Sequence, residues 1–338
     1  MLAEAVRSGF TESWHRGSLV LLGRDGSVAF AAGSAASAMF PRSANKPMQA
    51  AAMVGCGLGL DGELLALAAA SHSGEDFHVA GVREILRGAG LTEDSLQCPP
   101  DLPIDDAARA AVLRAGAGPD RVHMNCSGKH AAMLACCVAA GWPIAGYRDP
   151  AHPLQRQIRQ VIERLAGEPV PAVGVDGCGA PLFALSLTGL ARGFRALVLS
   201  GRGSAGRKVA DAMRAHPSWT SGTARPEAAL VAAVPGMLMK SGAEGVCALA
   251  LADGRAAAVK LDDGGQRAVP ALMAALLLRL IEDEAGFGGP DGPDGLDGPA
   301  DVATLGVLAT APVTGGGVPV GVIRPVLPPT LPAPSVPR

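Results

Sequence analysis

Ser43-Ala44-Asn45-Lys46 places a serine and a lysine three residues apart at a predicted helix start, so both side chains lie on one helix face. A serine hydroxyl becomes a strong nucleophile only when a base takes its proton, and a lysine amine that has lost its own proton can be that base. The same spacing also arises by chance, in which case Ser43 caps the helix and Lys46 is a surface charge. The segment is therefore a candidate for acyl-transfer chemistry.

Two further segments have the order found in Ser-Lys acyl-transfer enzymes. Lys240-Ser241-Gly242 precedes a predicted strand and is close to the Lys-Thr-Gly element of those enzymes, while the Ser71 segment, Ser-His-Ser, follows an apolar helix in place of their Ser-x-Asn loop. The alternative is that Ser71 is only a helix-end hydroxyl. On that alternative His72 and His78 are ordinary surface or loop histidines, an interpretation that is favoured for His78.

A third lysine lies among thiols. Cys126 and Lys129 fall within one predicted turn, followed by His130, and Cys178 stands in a similar glycine-flanked setting. Two thiolates and one nitrogen suit zinc, with one position left for water. The alternative is that both cysteines are small buried hydrophobic residues, as free cysteines usually are. Cys136 and Cys137, inside an alanine-rich helix, are interpreted as core.

Lysine is rare in this chain, which has 24 arginines and five lysines. Arginine does not lose its proton in proteins, whereas lysine can, so retained lysines indicate chemistry. Codon bias accounts for the arginines, and the motifs account for three of the lysines. Lys208, on a helix predicted to be exposed, is interpreted as a solvated charge, and Lys260 has no assigned partner.

Composition excludes several classes of protein. Net charge is −2 with no basic tract, and aromatic residues make up 3% of the chain, which disfavours nucleic acid as a partner. No apolar run reaches the roughly 18 residues of a membrane helix, and no secretory signal begins the sequence. Seven dispersed cysteines without a signal peptide predict reduced thiols and a cytoplasmic location.

The pattern predicts strands at both ends and helices between them. Apolar runs flank Asp25-Gly26 and Asp253-Gly254, which predicts two hairpins. We expect one α/β catalytic unit over 1–325, with an antiparallel sheet from about 1–42 and 233–325 flanked by helices, and a mainly helical central lobe over about 43–232. The last two strands are expected in VATLGVLAT and PVGVIRPV. Residues 286–299 are predicted to be a flexible Gly/Pro insert and 326–338 a Pro-rich tail.

Taken together, the segments resemble the class 3, rhizobial-type Ser-Lys L-asparaginases of the asparaginase II family. The matching stretches cover nearly the whole chain outside the insert and the tail: Arg7 with ESWHRG, PRSANKPMQ, ASHSGE, NCSGKHAAM, VDGCGAP, MKSGAEGV and GVIRP. Two positions depart from the family pattern, because Ser241 stands where threonine is usual and Ser73 where asparagine is common. Neither departure removes a catalytic group.

The resemblance implies a serine β-lactamase-like fold, a homodimer, and hydrolysis of L-asparagine to L-aspartate and ammonia through an acyl-enzyme. It implies one zinc per chain that supports substrate binding more than chemistry. The implied residues are the catalytic pairs Ser43 with Lys46 and Ser71 with Lys240, the substrate-binding residues Arg42, His130 and Asp176, and the zinc ligands Cys126, Lys129 and Cys178.

Two other classes of function remain open. One is a different Ser-Lys acyl hydrolase, either a glutaminase or a β-lactamase or penicillin-binding-like enzyme, although β-lactam substrates lie outside the cytosol. The other is a non-catalytic zinc-binding protein. The latter would retain both Ser-Lys pairs without a use for them.

Overall fold

Strands at the two ends of the chain and alanine-rich helices in the middle are both present in the structure. The computed structural model describes residues 1–282 and 299–327. The strands, in chain order, are β1 (Ala3–Arg7), β2 (Phe10–His15), β3 (Gly17–Leu22), β4 (Val28–Ala32), β5 (Ala38–Met39), β6 (Val173–Val175), β7 (Pro181–Phe183), β8 (Leu185–Ser186), β9 (Leu238–Gly242), β10 (Val246–Ala250), β11 (Ala256–Leu261), β12 (Ala311–Gly315) and β13 (Val318–Pro325).

Helices fill most of the interval between the two sets of strands. They are α1 (Lys46–Gly55), α2 (Gly62–Ala68), α3 (Asp76–Gly88), α4 (Asp106–Arg114), α5 (Ser127–Ala139), α6 (Pro153–Ala166), α7 (Leu187–Leu199), α8 (Ala205–Ala215), α9 (Pro217–Thr220), α10 (Pro226–Ala233), α11 (Val269–Glu282) and α12 (Val302–Leu308). A short 3₁₀ helix, Arg42–Asn45, leads directly into α1. In the part of the chain that is described, no helix has the length and apolar character to cross a membrane.

The chain forms two compact units. The first consists of Met1–Ala44, Leu185–Leu199 and the chain from Ala229 onward; the second consists of Asn45–Ala184 and Ser200–Ala228. The chain therefore passes from one unit to the other four times.

The first unit contains two larger antiparallel sheets, where the sequence predicts one. Their strand orders are β12-β13-β1-β2 and β4-β3-β11-β10-β9. Both predicted Asp-Gly hairpins are confirmed, and their strands β3 and β11 pair with each other. The prediction of one sheet is wrong because pairing partners are chosen over long sequence distances, which local apolar patterns do not specify.

Helices cover the central strands of the five-stranded sheet. α7 contacts β3, β10 and β11, and α11 contacts β10 and β11 as well as β13. Because both helices contact β10, all five of its residues are buried. A strand that is covered on both faces requires an uninterrupted apolar sequence, and β10 has one. Apolar side chains of α11, β13 and one face of β3, β10 and β11 belong to one core cluster.

The strand predicted in VATLGVLAT is wrong. Residues 302–308 form α12, whose first turn is capped by the Asp301 side chain accepting a hydrogen bond from the Thr304 amide at 3.0 Å. The strand that pairs with β13 comes later, as β12. Of the predicted insert 286–299 only position 299 belongs to the described residues, and of the predicted tail 326–338 only positions 326 and 327.

The second unit packs its helices around α1 and α5. α1 contacts α5, α6 and α8, and α5 contacts α2 and α3. Cys136 and Cys137 of α5 are fully buried, as predicted. One pair of strands was not predicted: β6 and β7 form a hairpin whose turn carries Asp176 and Cys178. A Gly-x-Gly sequence between two short apolar runs was the signal for this turn.

Candidate active site

Ser43 lies at the end of a strained segment of the first unit. Arg42, immediately before it, has a left-handed backbone with φ of 50°, which is costly for a residue with a side chain. Arg42 pairs with Glu244, another left-handed residue, at 3.6 Å. Such strain is common where a reactive side chain must be presented in a fixed direction.

Strand β9 lies directly against this segment. A Cβ atom built on Gly242 would stand 2.6 Å from the Pro41 carbonyl oxygen and 3.1 Å from the Ser43 amide nitrogen. Only glycine permits so close an approach. The predicted Lys-Ser-Gly element is therefore placed next to the predicted nucleophile segment.

Lys240 is 4% exposed, and its amine donates to the Ser241 carbonyl at 2.7 Å. Lys260, which had no partner assigned from the sequence, donates to the carbonyl of Glu244 at 2.7 Å and so holds the turn after β9. Gln266, which sequence reasoning missed, donates to the Gly242 carbonyl at 2.9 Å. Lys208 is exposed on α8, in agreement with its interpretation as a solvated charge.

In the second unit, Lys46 is buried at the first position of α1. Its amine reaches three partners: the Ala70 carbonyl, the Ser71 hydroxyl at 3.0 Å and the Cys126 sulfur at 3.1 Å. The structure thus joins two residues assigned to different pairs in the sequence, Lys46 and Ser71. A hydroxyl held at an amine nitrogen can pass a proton to it or accept one from it.

The thiols and Lys129 form a neighbouring cluster in the same unit. The Lys129 amine, 1% exposed, lies 3.1 Å from the Cys178 sulfur. A hydrogen bond from Cys126 and the Lys129 ammonium lower the pKa of Cys178, whereas the hydrogen bond to Cys178 together with burial raises the pKa of Cys126. Burial lowers the pKa of Lys129, but Cys178, Cys126 and Asp176 raise it by more. The pKa shifts of Cys178 and Lys129 thus have the directions expected for a thiolate beside an ammonium.

The donor atoms of this cluster are of the types that bind zinc. Sulfur and nitrogen are the donors that zinc prefers, and three of them lie together here. Among the residues described, no group of three or more His, Cys, Asp or Glu side chains is arranged to hold a metal. The cluster reaches three donors only with Lys129 as a ligand, which requires its neutral amine.

His130 and Asp176 border the thiol cluster. The His130 ring is fully buried, and its Nδ1 lies 2.6 Å from the hydroxyl of Tyr147, the chain's single tyrosine. Burial lowers the pKa of His130 to about 4, against an opposing effect of Cys178, so the ring is neutral. Asp176 lines an open cavity of about 610 Å³ whose other walls include Arg121 and Arg148.

The interpretation of His78 as a surface or loop residue is wrong, because His78 is buried within α3. His72 lies in the loop before α3, but it is buried rather than at the surface. Both rings are fully buried and stack on each other with centroids 5.1 Å apart. His78 faces the Ser218 carbonyl at 2.9 Å, and His72 faces the Ser127 hydroxyl at 2.8 Å. Burial of His72 is tolerated because both of its ring nitrogens have hydrogen-bond partners, a property that sequence alone does not show.

Ser73 is also buried rather than placed at a surface. Its hydroxyl donates to the Ser221 carbonyl at 2.8 Å, and the Ser71 amide donates to the Thr220 carbonyl at 3.1 Å. These bonds hold the Ser71 segment against the chain that follows α9.

Comparison with known proteins identifies one family. A family model described as L-asparaginase II matches residues 3–325. Similar solved structures include Mglu in its native form (16% identity, 86% of this chain and 70% of that chain, TM-score 0.43) and a putative β-lactamase from Bacteroides dorei (16%, 78% and 93%, 0.44). A β-lactamase from Mycobacterium bovis has 14% identity over 78% of this chain and 94% of its own, with a TM-score of 0.41. No curated protein matches the chain.

Proposed function

Because the chain belongs to the L-asparaginase II family, we propose that it hydrolyses the side-chain amide of L-asparagine to L-aspartate and ammonia. Membership supports amide hydrolysis as the reaction class. The choice of L-asparagine and the Ser-Lys mechanism are our proposal. The observation that carries it is the buried Lys46 amine, bonded to the Ser71 hydroxyl at 3.0 Å.

In the proposed first step, the Ser43 oxygen forms a bond to the amide carbon and its proton passes to the Lys46 amine. The carbon–nitrogen bond then breaks, and the leaving nitrogen takes a proton and departs as ammonia. Water attacks the resulting ester, releasing L-aspartate and restoring the Ser43 hydroxyl. Ser71 and Lys240 are assigned to proton relay in these steps.

The developing oxyanion needs hydrogen-bond donors. The Ser43 amide nitrogen is a candidate, since the close packing of Gly242 fixes the backbone around it. For the rest of the substrate, we assign Arg42 to the α-carboxylate, because a guanidinium suits a planar bidentate partner, and Asp176 to the α-ammonium. The neutral, buried His130 is assigned to substrate binding as well.

We also propose one zinc ion held by Cys126, Lys129 and Cys178. When bound, zinc would supply a fixed positive charge that anchors its ligands. The chain's own contribution is to order α5 and the β6–β7 turn, which carry His130 and Asp176. This arrangement favours an effect on substrate affinity over an effect on the chemical step.

The central test is ammonia release from L-asparagine by Ser43→Ala. We expect kcat to fall at least about a thousandfold, as for loss of a nucleophile. Ser204→Ala is the matched control, since Ser204 is exposed and its side chain caps the start of α8. Wild-type activity in Ser43→Ala would contradict the assignment. Parallel assays with L-glutamine and a chromogenic β-lactam separate the alternatives.

The zinc assignment is tested by metal analysis of the purified protein. Cys178→Ala should lose the metal, whereas Cys137→Ala, which removes a similarly buried thiol on α5 outside the cluster, should retain it. One zinc per chain in Cys178→Ala would rule out this ligand set. A non-catalytic zinc protein would bind zinc and release no ammonia.

The proposed homodimer is tested by light scattering. The chain has a mass of 33.9 kDa, so a dimer has twice that mass, 67.8 kDa. A single species at the monomer mass over the working concentration range would contradict it.

A further inference from the structure

His72 is the buried residue directly after Ser71, and its two ring nitrogens have different partners. Nδ1 accepts a hydrogen bond from the Gly74 amide at 3.1 Å, so it carries no proton. Nε2 lies 2.8 Å from the Ser127 hydroxyl oxygen. Each nitrogen therefore contacts a different segment of the second unit.

Ser127 determines where the ring proton lies. Its hydroxyl has one proton, which it donates to the Val122 carbonyl at 2.7 Å. The oxygen must then accept from His72, so the proton of the neutral ring is on Nε2. The network admits only this tautomer, since a proton on Nδ1 would oppose the Gly74 N–H.

The surroundings of the His72 ring also disfavour its protonated, charged form. It is fully buried, and the titratable groups facing it are His78, His123 and the amine of Lys46. Burial and these neighbours lower its pKa well below the ordinary value. His72 thus remains a neutral donor and acceptor, which suits a fixed structural link better than proton transfer.

The segments that His72 joins carry site residues. Ser71 precedes it and bonds Lys46, while Ser127 opens α5, which carries Lys129 and His130. The His72 amide also donates to the Asn125 carbonyl at 3.0 Å. α5 is pressed against the helix before Ser71, since a Cβ atom on Gly128 would lie 2.6 Å from the Leu67 carbonyl oxygen.

We infer that His72 is a positioning residue: as a neutral ring protonated on Nε2, it ties the Ser71 segment to the first turn of α5 and so holds the Ser71 hydroxyl at the Lys46 amine. This role rests on the proposed function of Ser71 and Lys46. His72 itself contacts no reacting atom.

The test compares His72→Gln with His72→Ala. Glutamine can place an N–H group where Nε2 stands and keep the bond to Ser127, whereas alanine cannot. We expect kcat for L-asparagine to fall about tenfold to a hundredfold in His72→Ala, with a smaller loss in His72→Gln and little change in KM, because misplacement of a catalytic group acts on the chemical step. In a Ser127→Ala background the advantage of glutamine should disappear.

His78→Ala is the matched control, since it truncates an equally buried ring of the same stack that does not bond Ser127. It should lower the thermal midpoint without lowering kcat. The inference is overturned if His72→Gln and His72→Ala have equal kcat. It is also overturned if His78→Ala, at a similar loss of stability, changes kcat and KM as much as the two His72 variants do.

A readout independent of activity uses ¹⁵N-labelled histidine in the wild-type protein. The NMR spectrum should show His72 protonated on Nε2 only, and a proton on Nδ1 would overturn the inference. If the wild-type protein releases no ammonia from any side-chain amide, the proposed function fails. Positioning is then decided by the spectrum and by the Ser43-dependent acylation rate with p-nitrophenyl acetate, measured in the same variants.

Discussion

The lysines of this chain differ in what surrounds them. Lys46 and Lys129 are 1% exposed, yet Lys46 meets a hydroxyl, a carbonyl and a thiol, whereas Lys129 meets the sulfur of Cys178. The sequence predicted chemistry at these positions from residue type and spacing. It did not predict that Lys46 would bond Ser71, because that contact depends on the fold between them.

The two buried histidines predict how stability depends on pH. Burial lowers the pKa of both His72 and His78, so their folded-state rings stay neutral where unfolded histidine, with a pKa of about 6.5, becomes protonated. As the pH falls through that value, the unfolded chain takes up protons that the folded chain does not, and the free energy of unfolding decreases.

We therefore expect urea unfolding to give a lower free energy at about pH 5.5 than at about pH 7.5. In His78→Gln, which can keep a donor to the Ser218 carbonyl but does not titrate, the decrease should be smaller. The same decrease in both proteins would contradict the assignment for His78.

At the scale of elements, strand β9 restricts the position of the Ser43 segment most closely. Because Gly242 approaches Pro41 and the Ser43 amide so closely, any side chain there must displace one of the two segments. We expect Gly242→Ala to lower kcat by about tenfold or more, since overpacking shifts the backbone and small displacements at a nucleophile are costly. The measurement is ammonia release at saturating substrate.

Gly306→Ala is the control for that substitution. Gly306 lies on α12 in the same unit, with nothing within 4 Å of the position that an alanine Cβ atom would take, so alanine should leave activity unchanged. Equal activity in both variants would show that β9 does not constrain the Ser43 segment.

Local patterns predicted the elements whose determinants are local. Asp-Gly turns between apolar runs predicted both hairpins, and the pattern of the middle of the chain predicted that it is mainly helical. The division into two sheets depends on pairing between distant segments, which local patterns do not specify. α12 was mistaken for a strand because its short apolar run fits either state, and the cap at Asp301 decides between them.

At the scale of the whole molecule, the first unit is built from distant parts of the chain. β1 lies between β2 and β13, with Ala5 opposite Ile323. Ile323 is 4% exposed in the same core cluster as Leu2 and Leu280. The sequence predicted that the two ends share sheet structure, but not their division into two sheets.

Ile323→Ala tests how much the pairing of β13 with β1 contributes to the free energy of unfolding. Removing a buried isoleucine side chain should lower the free energy of unfolding by about 2–4 kcal/mol. Val318→Ala, at a 58% exposed position of the same strand, should change it by less than about 0.5 kcal/mol. Similar values for both substitutions, measured by urea unfolding, would indicate that β13 is not part of the stabilising core.

The position of β1 between β2 and β13 has a consequence for synthesis. A ribosome makes β13 more than 300 residues after β1. During translation one edge of β1 has no partner strand, and its backbone amides and carbonyls are open to pairing with other chains. The four-stranded sheet can be completed only after β13 has been synthesised.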